Sequence, residues 1–225
     1  LKIHSVLPAY DLLFQAHEMV FILDRSGSMC GLESDTIGGF NSMIDNQKKQ
    51  EGEALVTTVL FDNEYELLHD RVKLSEIKKM TDKEYYVRGC TALLDAVGRT
   101  ISHISMIRKY IREEDIPQNT IIAITTDGME NASHEYNYEQ IKKMIEEKKK
   151  DGWEFLFIGA NVDAAEEASR IGISRDRAAN YISDSVGTGA VYNALSESMS
   201  CMRKTGAVAK NWNENILKDA KRRKK

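Results

Sequence analysis

Four stretches of strand length are apolar without alternation: 19–23 (MVFIL), 55–61 (LVTTVLF), 120–126 (TIIAITT) and 153–158 (WEFLFI). Continuous rather than alternating character is expected of strands covered on both faces. The segments between them repeat at helical spacing. Ile37, Phe40 and Ile44 share a face of one helix, with Ser34 or Asp35 as its cap and Gly52 beyond its end. Leu94, Val97, Ile101, Ile104 and Ile111 form a longer stripe that stops before Pro117, and Tyr138, Ile141 and Ile145 mark a third helix ending near Gly152. In LVTTVLFDNEYELLHDRV two β-rich runs flank Asp62-Asn63-Glu64, the signature of a hairpin. A weaker strand at 180–183 and a helix over 188–203 complete the pattern. It predicts a Rossmann-like three-layer α/β fold: a mostly parallel central sheet, one antiparallel edge strand, and helices on both faces.

The chain has 225 residues, enough for one domain with a substantial core. We divide it into an N-terminal extension of unassigned role (1–16), the α/β domain (17–202) and a basic C-terminal segment (203–225). That last segment holds nine Lys/Arg against Glu214 and Asp219, net +7, so with −4 overall the rest carries −11 (−4 minus 7). Its closing KDAKRRKK suits nucleic acid or an anionic surface, but with an acidic body a solvated, frayed helix end is the expectation, and nucleic-acid binding is not. No run approaches the ~20 apolar residues that span a bilayer. Three cysteines without CxxC spacing and five scattered histidines offer neither a disulfide framework nor a zinc site, and favour a reducing, cytoplasmic setting.

Ligands of open α/β sheets gather at the carboxyl ends of the strands. The first strand ends in DRSGSM and the 120–126 strand in TTDGMENAS, while RGCTALLD leads into the long helix. Asp24, Ser26, Ser28, Thr91 and Asp127 are thereby brought towards one rim, and all five offer only oxygen. Hard divalent cations prefer such ligands, and Mg²⁺ takes six at about 2.1 Å. In D-x-S-x-S, a tight turn over Gly27 aims alternate side chains inward. Neutral hydroxyls leave the cation with only two compensating charges, which favours an incoming carboxylate over hydrolysis. Taken singly, each residue also has an ordinary role: a strand-end turn at Asp24 and Ser26, an N-cap at Thr91, a turn at Asp127-Gly128.

DRSGS at 24–28, Thr91 in GCTALLD and Asp127 in ITTDGMEN resemble the metal-ion-dependent adhesion site of von Willebrand factor type A domains, over about residues 17–202, and more the intracellular, bacterial-type branch. The resemblance implies a bound Mg²⁺ (Mn²⁺ or Ca²⁺ as alternatives) with Ser26 and Ser28 as direct ligands. Thr91 would be direct or water-mediated, and Asp24 and Asp127 would act mainly through water. It implies a protein partner that offers Glu or Asp, and a binding module rather than an enzyme. Glu130, Asn131 and His134 follow on the same rim as candidates for shaping partner choice. The competing expectation is an Mg²⁺-dependent hydrolase or phosphatase at the same strand end, but the D-x-D of haloacid-dehalogenase-type phosphatases has Ser26 in its second place. Cys30 and Cys90 are either a redox-sensitive pair near the ion or small half-buried residues at loop bases.

Overall fold

The computed structural model describes residues 16–223, so the segment before Ala16, and with it nearly all of the N-terminal extension, lies outside the described residues. Six strands form one sheet: β1 (His17–Asp24), β2 (Ala54–Phe61), β3 (Tyr65–Lys73), β4 (Asn119–Thr126), β5 (Trp153–Gly159) and β6 (Ala178–Asn180), in the order β3-β2-β1-β4-β5-β6. Every pair is parallel except β2–β3, whose hairpin turns through 62–64. β1 sits centrally, with Asp24 level with Phe61 of β2, and Leu23 level with Thr125 of β4. The carboxyl ends of β1 and β4 are therefore side by side, at the place where the strand order reverses direction.

The continuous apolar character of the strands is used on both faces. Met19, Phe21 and Leu23 of β1 pack with Ile121 and Ala123 under α1 (Glu33–Lys48) and α5 (Ser185–Thr205). Val20 and Ile22 face the other way with Ile122 and Ile124, under α2 (Leu93–Tyr110), α3 (Tyr138–Lys150) and α4 (Ala164–Arg170). Each strand thus divides its side chains between two cores, and the expected three-layer architecture is the observed one. α3 starts at a full capping box, Asn137 and Gln140 exchanging side-chain and backbone bonds. α1 does not use its expected caps. Ser34 and Asp35 lie inside its first turn, and the helix begins after Leu32 without a side-chain cap.

The short β6 lies slightly ahead of the expected 180–183, and α4 was not legible as a helix because its AAEEASR has almost no apolar stripe. The expected solvated tail needs a larger correction. After α5 ends at the left-handed Gly206, the chain turns back and forms α6 (Glu214–Arg223). Val208, Trp212 and Ile216 join the α1/α5 core. The Trp212 indole donates to the Asp176 carbonyl at 2.8 Å, and Asn213 donates to that of Ala178 at 3.0 Å, so this segment covers the β6 edge. Lys218, Lys221 and Arg222 stay outside, which is why composition alone read the whole segment as solvent-facing. Among the described residues no helix is long and apolar enough to cross a membrane.

Trp212→Ala should destabilise the domain by about 3 kcal/mol or more through loss of buried area and a cavity, measured by urea unfolding; a frayed tail would give a change near zero.

Candidate functional site

Three loops converge at the carboxyl edge of β1 and β4. The first follows Asp24 directly. Its backbone closes a short 3-10 turn (Gly27–Met29), and Gly27 N–H donates to the Gly89 carbonyl at 3.1 Å, pinning this loop to the one that carries Thr91. Ser26 and Ser28 hydroxyls lie 2.9 Å apart, and the Thr91 hydroxyl donates to Ser26 Oγ at 2.9 Å. Adjacent ligands of an octahedral Mg²⁺ at ~2.1 Å are separated by about 3.0 Å, so hydroxyls that here hydrogen-bond to one another are also at a spacing a cation could bridge.

The two carboxylates stand at the ends of the same two strands, β1 and β4. Asp24 is fully buried, its Oδ1 accepting the Ser26 N–H at 2.7 Å and its Oδ2 the Thr126 hydroxyl at 2.5 Å. Burial pushes its pKa up to about 6, against the pull of the bonds from Thr126 and Ser26, and nearby Asp127 adds to the rise. Asp127 accepts the Ser183 hydroxyl on Oδ2 at 2.6 Å. Its Oδ1 is buried and has no hydrogen-bond partner among the described residues. A buried carboxylate oxygen left unpaired is costly unless something positive completes it. Gly128 matters here by lacking a side chain: a Cβ would stand 2.8 Å from Ser28 Oγ and 3.0 Å from Thr91 Oγ1. Among the described residues no three His, Cys, Asp or Glu side chains gather at one point. A cation at this rim must therefore rely on hydroxyls beside its two acids, and the oxygen set fits a hard divalent ion.

Thr91 is free for this role because other residues cap α2. The helix begins after Ala92. Glu130 accepts the Leu94 N–H at 3.0 Å, and the Ser133 hydroxyl accepts that of Asp95 at 3.1 Å. In return the Asp95 carboxylate accepts the N–H groups of His134, Glu135 and Tyr136. Glu130 thus faces inward as a cap. Asn131 likewise accepts the Thr91 N–H at 2.9 Å through its side chain. Of the three residues marked for partner choice, Asn131 and His134 are exposed, and His134 is engaged through its backbone alone. Cys30 and Cys90 are both exposed free thiols, not half-buried loop bases.

Two supports had no sequence signal. Arg25, between two site residues, is fully buried, with Nε 2.9 Å from Asp62 and Nη1 2.7 Å from Glu66. Asp62 is also buried and takes Arg88 Nε at 2.8 Å, while its carbonyl accepts the Ala92 N–H at 2.9 Å. The hairpin turn thereby ties the Asp24 loop to the entry of α2. The second support is the β6–α5 loop. Beyond Ser183, Asp184 caps α5 by accepting the Gly187 N–H at 2.8 Å and receives Arg223 of α6 at 2.5 Å. Gly187 is required by close approach, since a Cβ would meet the Ile182 carbonyl oxygen at 2.0 Å. A serine three residues past a weak strand is ordinary in sequence; only the fold sets it against Asp127.

Asp24→Asn keeps both bonds in place, because its amide donates to Thr126, whose hydroxyl then turns to the Gly128 carbonyl at 3.1 Å. A folded pKa raised above the unfolded 3.8 means the charged form costs stability at pH 7, a cost that fades as pH falls through 6. With EDTA present, the variant should exceed wild type by on the order of 2 kcal/mol at pH 7, and the gap should close towards pH 4 in urea titrations.

The sequence matches none of the protein-family models and none of the curated proteins with which it was compared. Solved structures do match. Proximal thread matrix protein 1 from the mussel byssus superposes on 84% of this chain with a TM-score of 0.59 at 16% identity. A structure of it with a zinc-occupied MIDAS (metal-ion-dependent adhesion site) motif gives 0.55 at 13%. This chain spans 46% of that protein's length. The vWF domain of the type V pili tip protein Mfa5 from Porphyromonas gingivalis is covered over 99% of its length by 88% of this chain, with a TM-score of 0.61 at 10% identity. At these identities the likeness is one of fold alone, a fold like that of von Willebrand factor type A domains.

Proposed function

We propose that Asp24, Ser26, Ser28, Thr91 and Asp127 hold a divalent cation, Mg²⁺ first and Mn²⁺ or Ca²⁺ as alternatives, and that the ion binds a Glu or Asp of a protein partner. The observation that carries this is a buried Asp127 Oδ1 with no partner among the described residues, at the same sheet edge as three linked hydroxyls, Ser28, Ser26 and Thr91. The zinc-occupied motif of the mussel protein, on the same fold, supports it. Two acids just balance a divalent ion and the other ligands are neutral hydroxyls, so an anionic ligand meets no surplus of negative charge and is drawn by the ion it contacts. Water-mediated contact from the acids would leave the ion still more electrophilic.

Binding rather than hydrolysis fits the residues. Ser26 stands where phosphatases of the D-x-D kind carry a second acid, and its hydroxyl is engaged by Ser28 and Thr91. A reducing, cytoplasmic location belongs to the same proposal, supported by three free thiols of which Cys30 and Cys90 are exposed.

Thermal unfolding with Mg²⁺ or Mn²⁺ against EDTA tests the metal. At a hundredfold excess over Kd the wild type should gain about 2.7 kcal/mol, and Ser26→Ala/Ser28→Ala should gain nothing. Equal shifts in both proteins would place the metal elsewhere. Ser183→Ala, which touches the ion only through Asp127, should weaken Mn²⁺ binding by about 10–100-fold in calorimetry. Arg223→Ala, one step further out, should weaken it less.

A further inference from the structure

At the other edge of the sheet, where β1 and β2 begin and β3 ends, Ala16, Leu55 and Ile111 wall a cavity of about 430 Å³. Cavities of roughly 300–1,000 Å³ with apolar walls and a few polar groups are the usual form of small-ligand sites. Four charged residues share the lining: Glu53, Arg71, Lys73 and Asp115. Both Asp115 oxygens are taken by Arg112, at 2.7 and 3.1 Å. Glu53 is exposed, and its charge acts on Arg203. Lys73 is exposed and makes no ion pair among the described residues. Arg71 is the unusual member. Its side chain is 12% exposed, and Nε stands 2.8 Å from Glu18 Oε1 without the alignment of a hydrogen bond. Beyond the strand pairing, its one hydrogen bond among the described residues is from the backbone N–H to the Thr57 hydroxyl at 3.2 Å, so the guanidinium has none. Glu18, fully buried, also receives Arg108 Nη2 at 2.7 Å. One carboxylate therefore faces two guanidinium groups, and a positive charge is left over. Arg71 also sits at φ +50°, in the left-handed region, next to the irregular register around Thr58. A bulge re-aims the side chain at its kink, and strained backbone of this kind gathers at ligand clamps and active sites.

We infer that this cavity takes a small, freely soluble carboxylate with an alkyl or aryl body, its head on Arg71 and Lys73 and its body against Ala16, Leu55 and Ile111. The inference is independent of the metal site. A guanidinium is a planar fork of donors that matches a carboxylate, and such charge-assisted bonds are about twice as strong as neutral ones. The surplus positive charge selects an anion. Glu53 and Asp115 in the same lining limit it to a single charge, because a dianion would meet repulsion from both. An alcohol of the same shape would fill the walls but leave the surplus charge unanswered, and an ammonium would be repelled by it.

Calorimetry on the full chain with octanoate, 1-octanol and octylammonium is the test. Octanoate should bind about tenfold or more tighter than 1-octanol, and octylammonium should not bind. Arg71→Gln, which leaves Glu18 its partner Arg108, should cost octanoate about tenfold and leave 1-octanol unchanged. Lys73→Gln, at an exposed side chain, should weaken octanoate by a smaller factor, and it carries the test should Arg71→Gln fail to fold. Ile111→Trp should fill the cavity and abolish binding of both octanoate and 1-octanol while the circular dichroism of the fold is retained. No binding of octanoate, equal binding of all three compounds, or octanoate affinity undiminished in folded Ile111→Trp would overturn the inference. Co-sedimentation with phosphatidylglycerol vesicles that Ile111→Trp abolishes would overturn a soluble ligand in favour of a membrane lipid. Octanoate binding that appears only in Leu12→Ser/Leu13→Ser/Phe14→Ser would overturn it in favour of the chain's own N-terminal segment as the occupant.

Discussion

Two buried carboxylates standing at the ends of neighbouring parallel strands govern how this molecule is built. Asp24 and Asp127 lie where β1 and β4 run out, and the charge of Asp127 adds to the cost that burial imposes on Asp24. A fold does not keep such a pair unless donors meet most of their lone pairs and something positive meets the rest. The donors are visible: the Ser26 amide and Thr126 hydroxyl on Asp24, and the Ser183 hydroxyl on Asp127. The remaining Asp127 oxygen, buried and unpaired, points to what the donors leave undone. Nearby buried Arg25 does not meet it, because its guanidinium is directed away to Asp62 and Glu66; the cation proposed above would.

That redirection explains the elaborate bonding of the surrounding loops. Arg25 follows Asp24 immediately, yet its guanidinium serves the hairpin turn. There Asp62, shared with Arg88, also accepts the Ala92 N–H at the entry of α2. On the far side Glu130, Ser133 and Asp95 bind the post-β4 loop to the first turns of α2. Loops are ordinarily the mobile part of a domain. Here each is crossed by charge-assisted bonds, so the hydroxyls are held in place by the loops themselves, and the binding proposed above would carry a lower entropic cost.

The C-terminal helix joins this arrangement from a distance. Trp212, in the turn before α6, donates to the Asp176 carbonyl, Ile216 of α6 joins the core, and the last described residue of α6, Arg223, reaches Asp184 beside Ser183. A segment that is strongly basic in composition thus spends one of its arginines on the loop that steadies Asp127. The fold it shares with the byssus and pilus-tip proteins is compatible with very different sequences, at 16% and 10% identity.

The sequence by itself determined the layers and the oxygen cluster. Continuous apolar strands can only be covered on both faces, helical stripes can only face them, and D-x-S-x-S after the first strand, with Thr91 and Asp127 after later elements, falls at one sheet edge by topology. The rest was decided by tertiary structure, because it depends on groups far apart in the chain meeting at bonding distance. Nothing local to Glu130 distinguishes a rim residue from a cap for a helix more than thirty positions earlier. Ser183 acquires its meaning only when β6 docks beside β5. The basic C-terminal segment reads as solvent-facing because its charges outnumber its apolar residues. Trp212 and Ile216 show their side only once there is a sheet edge and a core for them to cover.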